Sequence, residues 1–186
     1  MCIRDSIKYD SMGNAIWARM ATTPTSTGFS SFYGIAKDNA DNVFAVGMQS
    51  MNAFFSYGPG VDLPALSPGA NNGFVLAKYD PMGNAIWAVR QQAPGCTAIS
   101  RSVATDTLGN IYIVGYIYGS GMCDFGSAIT ISGNDSNGVP LIVKYDPSGS
   151  AVWAKVASSG SNASSQSDHG EFHRVQIDGS NNLRCV

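Results

Sequence analysis

The chain reads as all-β, an arc of repeated four-stranded antiparallel sheets, on three observations. One phrase occurs three times, Lys8 to Trp17, Lys78 to Trp87 and Lys144 to Trp153, and its tryptophans stand 70 and then 66 residues apart. A second phrase alternates with it, Asp38 to Gly47 and Asp106 to Gly115, with a third start at Asp178, the aspartates being 68 and 72 residues apart. Both phrases thus belong to one unit of about 68 residues, the self-similarity that marks a repeat array. Composition agrees: 21 glycines, 8 prolines, 10% aromatic and only 13% charged residues are a turn-rich β profile, not a helical or disordered one.

Each phrase reads as strand, tight turn, strand. In Asp80-Pro81-Met82-Gly83, Asp suits the first position of a type I turn, Pro presets φ at the second, and Gly takes the left-handed position of a G1 bulge. The chemistry recurs in all six phrases, with Asp41 and Asn181 where two of them lack the glycine; both residue types tolerate the left-handed region.

This register predicts strands near 7–10 and 14–20, then 32–38, 42–49, 73–79 and 84–91, then 99–106, 110–118, 139–145 and 150–157, with a last one near 171–177. That is half a sheet, two complete sheets and the first strand of another, with no helix. The Gly/Pro/Ser/Asn-rich stretches 50–72 and 119–137 read as long loops, and 158–170 as a Ser-rich connection between units. Apolar residues fall on both faces of the strands: Ile111 and Ile113 point one way, Tyr112, Val114 and Tyr116 the other, which suits a sheet covered on both sides by neighbours.

Radially repeated four-stranded sheets form a β-propeller of about 4 to 8 blades, and at this unit length a ring needs more residues than the 186 present. The expectation is a β-propeller arc: two full blades plus partial blades at each end, with uncovered sheet faces that favour oligomers or poor solubility when the arc stands alone.

The pattern Asp106, Gly109, Asn110, Tyr112 and Gly115, followed by Lys144, Tyr145, Asp146, Gly149 and Trp153, resembles the bacterial β-propeller repeats of the SBBP type found in cell-surface and secreted proteins. The resemblance covers nearly all of residues 7–183. It implies an extracellular or cell-surface repeat scaffold, commonly a segment of a larger protein, with no catalytic residue to carry over. Quinoprotein propellers share the Gly-x-x-x-Trp ending seen at Gly83 to Trp87 but have one more residue in the turn, and sialidase-type Asp boxes are one residue shorter in each gap. Neither supplies a cofactor or an active site here, since fold does not carry function.

The ends read differently from the repeats. Met1 to Ser6 and Arg184 to Val186 translate two frames of one transposon-adapter string, AGATGTGTATAAGAGACAG, so residues 1–6 and 184–186 are expected to be adapter-derived and are set aside from fold reasoning. Without Arg4, Arg184 and Asp5, 9 basic and 12 acidic residues remain, a net charge of −3, with no basic field for nucleic acid. No run of 18 apolar residues exists to span a membrane as a helix.

Few residues carry chemistry. Asp168, His169, Glu171 and His173 are the one cluster of metal-ligand types, but on a strand His169 and His173 stand ~13 Å apart, and His173 aligns with Tyr33 and Arg101 of the other units. A variable polar position is therefore favoured over a metal site. Cys96 and Cys123 fall within a few residues of each other across a ladder, compatible with a disulfide in an oxidising compartment; with the register unknown, two separate buried thiols are the preferred reading. The six turn aspartates are assigned to turn geometry, Lys8, Lys78 and Lys144 to the blade surface, and the tryptophans to seams between blades.

No catalytic, cofactor-binding or metal residue is assigned, and no cofactor. The expected function is a non-enzymatic scaffold or adhesion and binding module, taking a glycan or protein ligand at the blade loops, where Phe54, Phe55, Tyr57, Tyr118 and Phe125 concentrate. The alternative is part of a propeller enzyme, glycan-active or quinone-dependent, whose catalytic residues lie outside residues 7–183.

Overall fold

The computed structural model describes residues 6–24, 28–66, 72–92, 95–119, 121–132, 135–157 and 170–186. Strands β1 (Ser6–Tyr9) and β2 (Ala15–Arg19) form a two-stranded sheet. Next come β3 (Ser30–Lys37), β4 (Val43–Ser50), β5 (Phe55–Gly58), β6 (Val61–Leu63), β7 (Asn72–Tyr79) and β8 (Ala85–Arg90). The following unit repeats them as β9 (Thr97–Thr105), β10 (Ile111–Gly119), β11 (Met122–Asp124), β12 (Thr130–Ser132), β13 (Asp135–Tyr145) and β14 (Ala151–Val156). Strands β15 (Val175–Ile177) and β16 (Leu183–Cys185) form a final pair.

The two complete blades are antiparallel meanders ordered β3-β4-β7-β8 and β9-β10-β13-β14. The all-β propeller reading therefore holds. Two details differ from it: the last unit contributes two strands where one was expected, and each long loop contains a hairpin, β5–β6 or β11–β12. No helix among the described residues is long and apolar enough to cross a membrane.

The turns form for the reasons read from the residues. Gly13, Gly83, Gly109 and Gly149 have φ between 80° and 88°, and Asp41 and Asn181 take the same region at 60° and 61°. Each opening aspartate also clamps its turn. The Asp80 carboxylate accepts from the Met82 and Asn84 backbone N–H groups at 2.9 and 2.8 Å and from the Asn84 side chain at 2.8 Å. A bulge at Lys78/Tyr79 follows, matched at Lys8/Tyr9 and Lys144/Tyr145.

Sheets stack face to face in series, so each blade has two buried faces. Ile111 and Ile113 join Phe44, Val46, Phe74 and Leu76 of the preceding blade, whereas Tyr112 and Val114 turn to Val175 of the following sheet. The first two seams carry the same interlock. Trp17 lies over Gly83, where a Cβ would come within 2.6 Å of the indole, and its Nε1–H donates to the Pro81 carbonyl at 3.1 Å. Trp87 lies likewise over Gly149. The tryptophans are thus seam residues, and Lys78 and Lys144 lie along the blade over the Phe44 and Tyr112 rings.

The inserted hairpins close the same seams at the end of the stack away from the tight turns. Thr22, just beyond β2, exchanges backbone hydrogen bonds with Ser56 of β5, and Gln92, just beyond β8, donates to the Asp124 carbonyl of β11 at 2.8 Å. Each hairpin therefore lengthens the outer strand of the preceding sheet. The aromatic residues in it are consequently buried, not displayed.

Candidate functional site on the inner edges

Strands β3 and β9, the first of each complete blade, come together along one edge of the stack. A Cβ on Gly34 would meet the Arg101 carbonyl at 2.9 Å, the Ser100 hydroxyl donates to the Gly47 carbonyl at 2.8 Å, and that of Thr105 to the Lys37 carbonyl at 2.8 Å. The next unit continues the edge, with the Phe172 N–H donating to the Gly115 carbonyl and the Val175 N–H to the Ser102 hydroxyl. These edges converge where a propeller's axis lies.

Each inner strand carries one extra residue at the same place. The β3–β4 ladder slips between Phe32 and Gly34, and the β9–β10 ladder between Ser100 and Ser102, so Tyr33 and Arg101 are bulge residues. A bulge turns its side chain out of the pleat. It also presses the strand against its neighbour, which is why Gly47 and Gly115 stand opposite. A Cβ there would collide with the Ser31 or Ile99 carbonyl oxygen. The glycine that ends the second phrase thus serves the bulge, and through it the aim of Tyr33 and Arg101.

Side chains from three successive units meet there. The Arg101 guanidinium lies 5.4 Å from the ring centres of both Tyr33 and Tyr116, and Tyr116 stacks on Tyr118 at 5.9 Å with 19° between planes. Arg101 Nε donates to Glu171 at 3.1 Å, and the other Glu171 oxygen lies 3.1 Å from His173 Nε2. Burial raises the Tyr116 pKa, with Glu171 and the neighbouring tyrosines adding to it and Arg101 opposing it. The patch remains open: Tyr33 is 37% and Tyr118 38% exposed, and the His173 side chain 67%.

The residues singled out in the sequence are sorted by this geometry. Of the metal-type cluster, Asp168 and His169 lie outside the described residues, while Glu171 and His173 are held by the Arg101 network. No group of three His, Cys, Asp or Glu among the described residues is placed to hold a metal ion. The equivalent positions Tyr33, Arg101 and His173, read as merely variable, gather on one edge.

Cys96 and Cys123 form a disulfide, correcting the preference for separate thiols. The hairpin β11–β12 folds back beside the start of β9 and brings the two Cα atoms to 5.2 Å, within bridging range. The aromatic loop residues are corrected too: Phe55, Tyr57 and Phe125 are buried in the seams, and only Tyr118 of that set joins the exposed patch. All six turn aspartates are occupied by their own turns. The Asn84 side chain and backbone hold the Asp80 carboxyl below the usual range; burial pushes Asp106 upward, but bonds from Asn110, Tyr112 and Leu108 outweigh it.

Comparison with known proteins agrees with the architecture. Residues 86–121, from the outer strand of one blade to the second strand of the next, match the family model SBBP, described as a beta-propeller repeat. The chain is also 32% identical over 90 residues to an uncharacterized WD repeat-containing protein of Acanthamoeba polyphaga mimivirus, a match covering 42% of this chain and 6% of that protein. The chain therefore spans a small part of the length of this relative. Residues 86–121 thus match an SBBP beta-propeller repeat, and the blades, seams and turns show a chain of propeller-type four-stranded sheets.

Proposed function

We propose that these repeats serve as a non-enzymatic scaffold and binding or adhesion module of a larger secreted or cell-surface protein, with ligand contact on the inner edges. The observation that carries the reading is the open aromatic and charged patch assembled from three units by two bulges. Bulges are over-represented beside functional sites, where they re-aim side chains. The relative's WD repeats are in keeping with a repeat scaffold. The buried disulfide Cys96–Cys123 supports an oxidising, extracytoplasmic compartment, where such bonds persist.

The test is a binding screen of the chain against immobilised glycans and proteins by biolayer interferometry, repeated with Arg101→Ala. Retention of an unaltered ligand, lost in the variant, supports the module. Release of a chemically changed ligand, identified by mass spectrometry, favours a propeller enzyme instead.

A further inference from the structure

Resting on the binding-module reading, we infer that the inner-edge patch takes an uncharged glycan. Four aromatic or planar faces follow one another in the order Tyr33, Arg101, Tyr116, Tyr118, and the outermost rings of that series are the exposed ones. The electron-rich ring face attracts polarised hydrogens, and the apolar face of a pyranose offers a row of C–H groups to stack on it. A carbohydrate also needs donors and acceptors side by side, because every hydroxyl is both. The patch has this mixture: the guanidinium only donates, the Glu171 carboxylate only accepts, and the phenols and the His173 imidazole do either.

Charge selects among ligands of this shape. Arg101 and Glu171 neutralise each other at 3.1 Å, so the patch has no net charge of its own to attract an anionic or cationic polymer. An acidic ligand competes with Glu171 for Arg101. The chain as a whole carries −2, which further disfavours polyanions.

Saturation-transfer NMR and biolayer interferometry on the full chain test the assignment. The probes are unbranched neutral hexasaccharides of glucose, mannose and N-acetylglucosamine, with a uronic-acid hexasaccharide and a tyrosine-rich decapeptide for comparison. At least one neutral probe is expected to bind, with saturation received on its C–H protons. Tyr118→Ala should weaken binding at least tenfold, Tyr118→Phe less than threefold, and Met82→Ser at the opposite end less than twofold. Tyr118 is exposed at a strand end, so melting temperature checks that its variants stay folded. Failure of every neutral probe overturns the glycan assignment. If the acidic probe or peptide then binds with the same Tyr118 dependence, the module reading stands alone; if none binds, both fall.

Discussion

The two inserted hairpins occupy the same place in consecutive blades and are fastened by different chemistry. Stepping 68 residues along the chain converts Gly28 into Cys96 and Phe55 into Cys123. In the second complete blade a disulfide joins Cys96, just before β9, to Cys123 of β11. In the first, the Phe55 ring fills the same slot by lying on Gly28, where a Cβ would come within 3.2 Å of the ring and 2.8 Å of Ala53. A side chain larger than hydrogen at position 28 would crowd both Ala53 and the end of the ring and force them to shift. The slot itself is therefore what the repeat preserves, and covalent bond and buried aromatic are alternative ways to close it.

The largest effect is expected from emptying the aromatic slot. Phe55→Ala removes a side chain that is buried in the seam with Trp17, Val75 and Tyr79, and should cost about 3–5 kcal/mol in urea-unfolding free energy. A loss below ~1 kcal/mol would mean that the ring does not hold the hairpin.

Removing the disulfide should cost somewhat less. The bond closes a 27-residue separation, and Cys96→Ala with Cys123→Ala is expected to lower stability by about 2–4 kcal/mol, with a matching fall in the urea midpoint of the native chain under reductant. If reductant leaves the midpoint unchanged, the covalent blade gains nothing over the aromatic one.

The comparison sharpens with a transplant. Gly28→Cys combined with Phe55→Cys should form a second disulfide, seen as a loss of about 4 Da relative to the fully reduced double variant, about 2 Da more than the native bond alone gives, with net stability within ~2 kcal/mol of the parent because the bond offsets the lost ring. Absence of the bond would break the claim that the two slots share a backbone geometry.

Acid should fail to discriminate between the blades. Asp38, Asp80, Asp106 and Asp146 all have folded pKa values below the ordinary one. A depressed folded pKa contributes stability above the unfolded value of about 4 and loses it as pH falls through the folded value. Protection factors for amide exchange, corrected for the intrinsic rate at each pH, should thus fall in the turns of both blades below about pH 4, with protection persisting longest around Cys123. Earlier opening of one blade's turns would show that their clamps are not equivalent.

Repetition made most of the fold legible. Asp and Gly at fixed offsets located all six turns, and Asp41 and Asn181 were recognisable as stand-ins from their backbone tolerance alone. The alternation at Ile111 to Val114 correctly assigned two seams to one strand. What escaped lies in features shorter than a repeat pattern can reveal. β6, β11 and β12 have three residues each, and their aromatic neighbours look the same whether they face a ligand or a seam.

The bulges were hidden for another reason. An extra residue on one strand leaves no mark on that strand's alternation when its neighbours are mixed, as in Ser31-Phe32-Tyr33-Gly34. Only the facing glycines, Gly47 and Gly115, signal it, and in the sequence they look like part of the phrase and not like room for a neighbour. The contact of Arg101 with Glu171 spans 70 residues and depends on both bulge and seam, so no local pattern could foretell it.

The tryptophan interlock also bears on how such chains change in length. One ten-residue phrase holds both halves of a joint: Gly83 receives the indole of the unit before, and Trp87 is received by Gly149 of the unit after. Because socket and plug are inherited together, a duplicated or deleted unit leaves every remaining joint matched, with no compensating substitution elsewhere. Recombination can therefore alter the number of blades in whole steps, while the joints tolerate only one direction of joining.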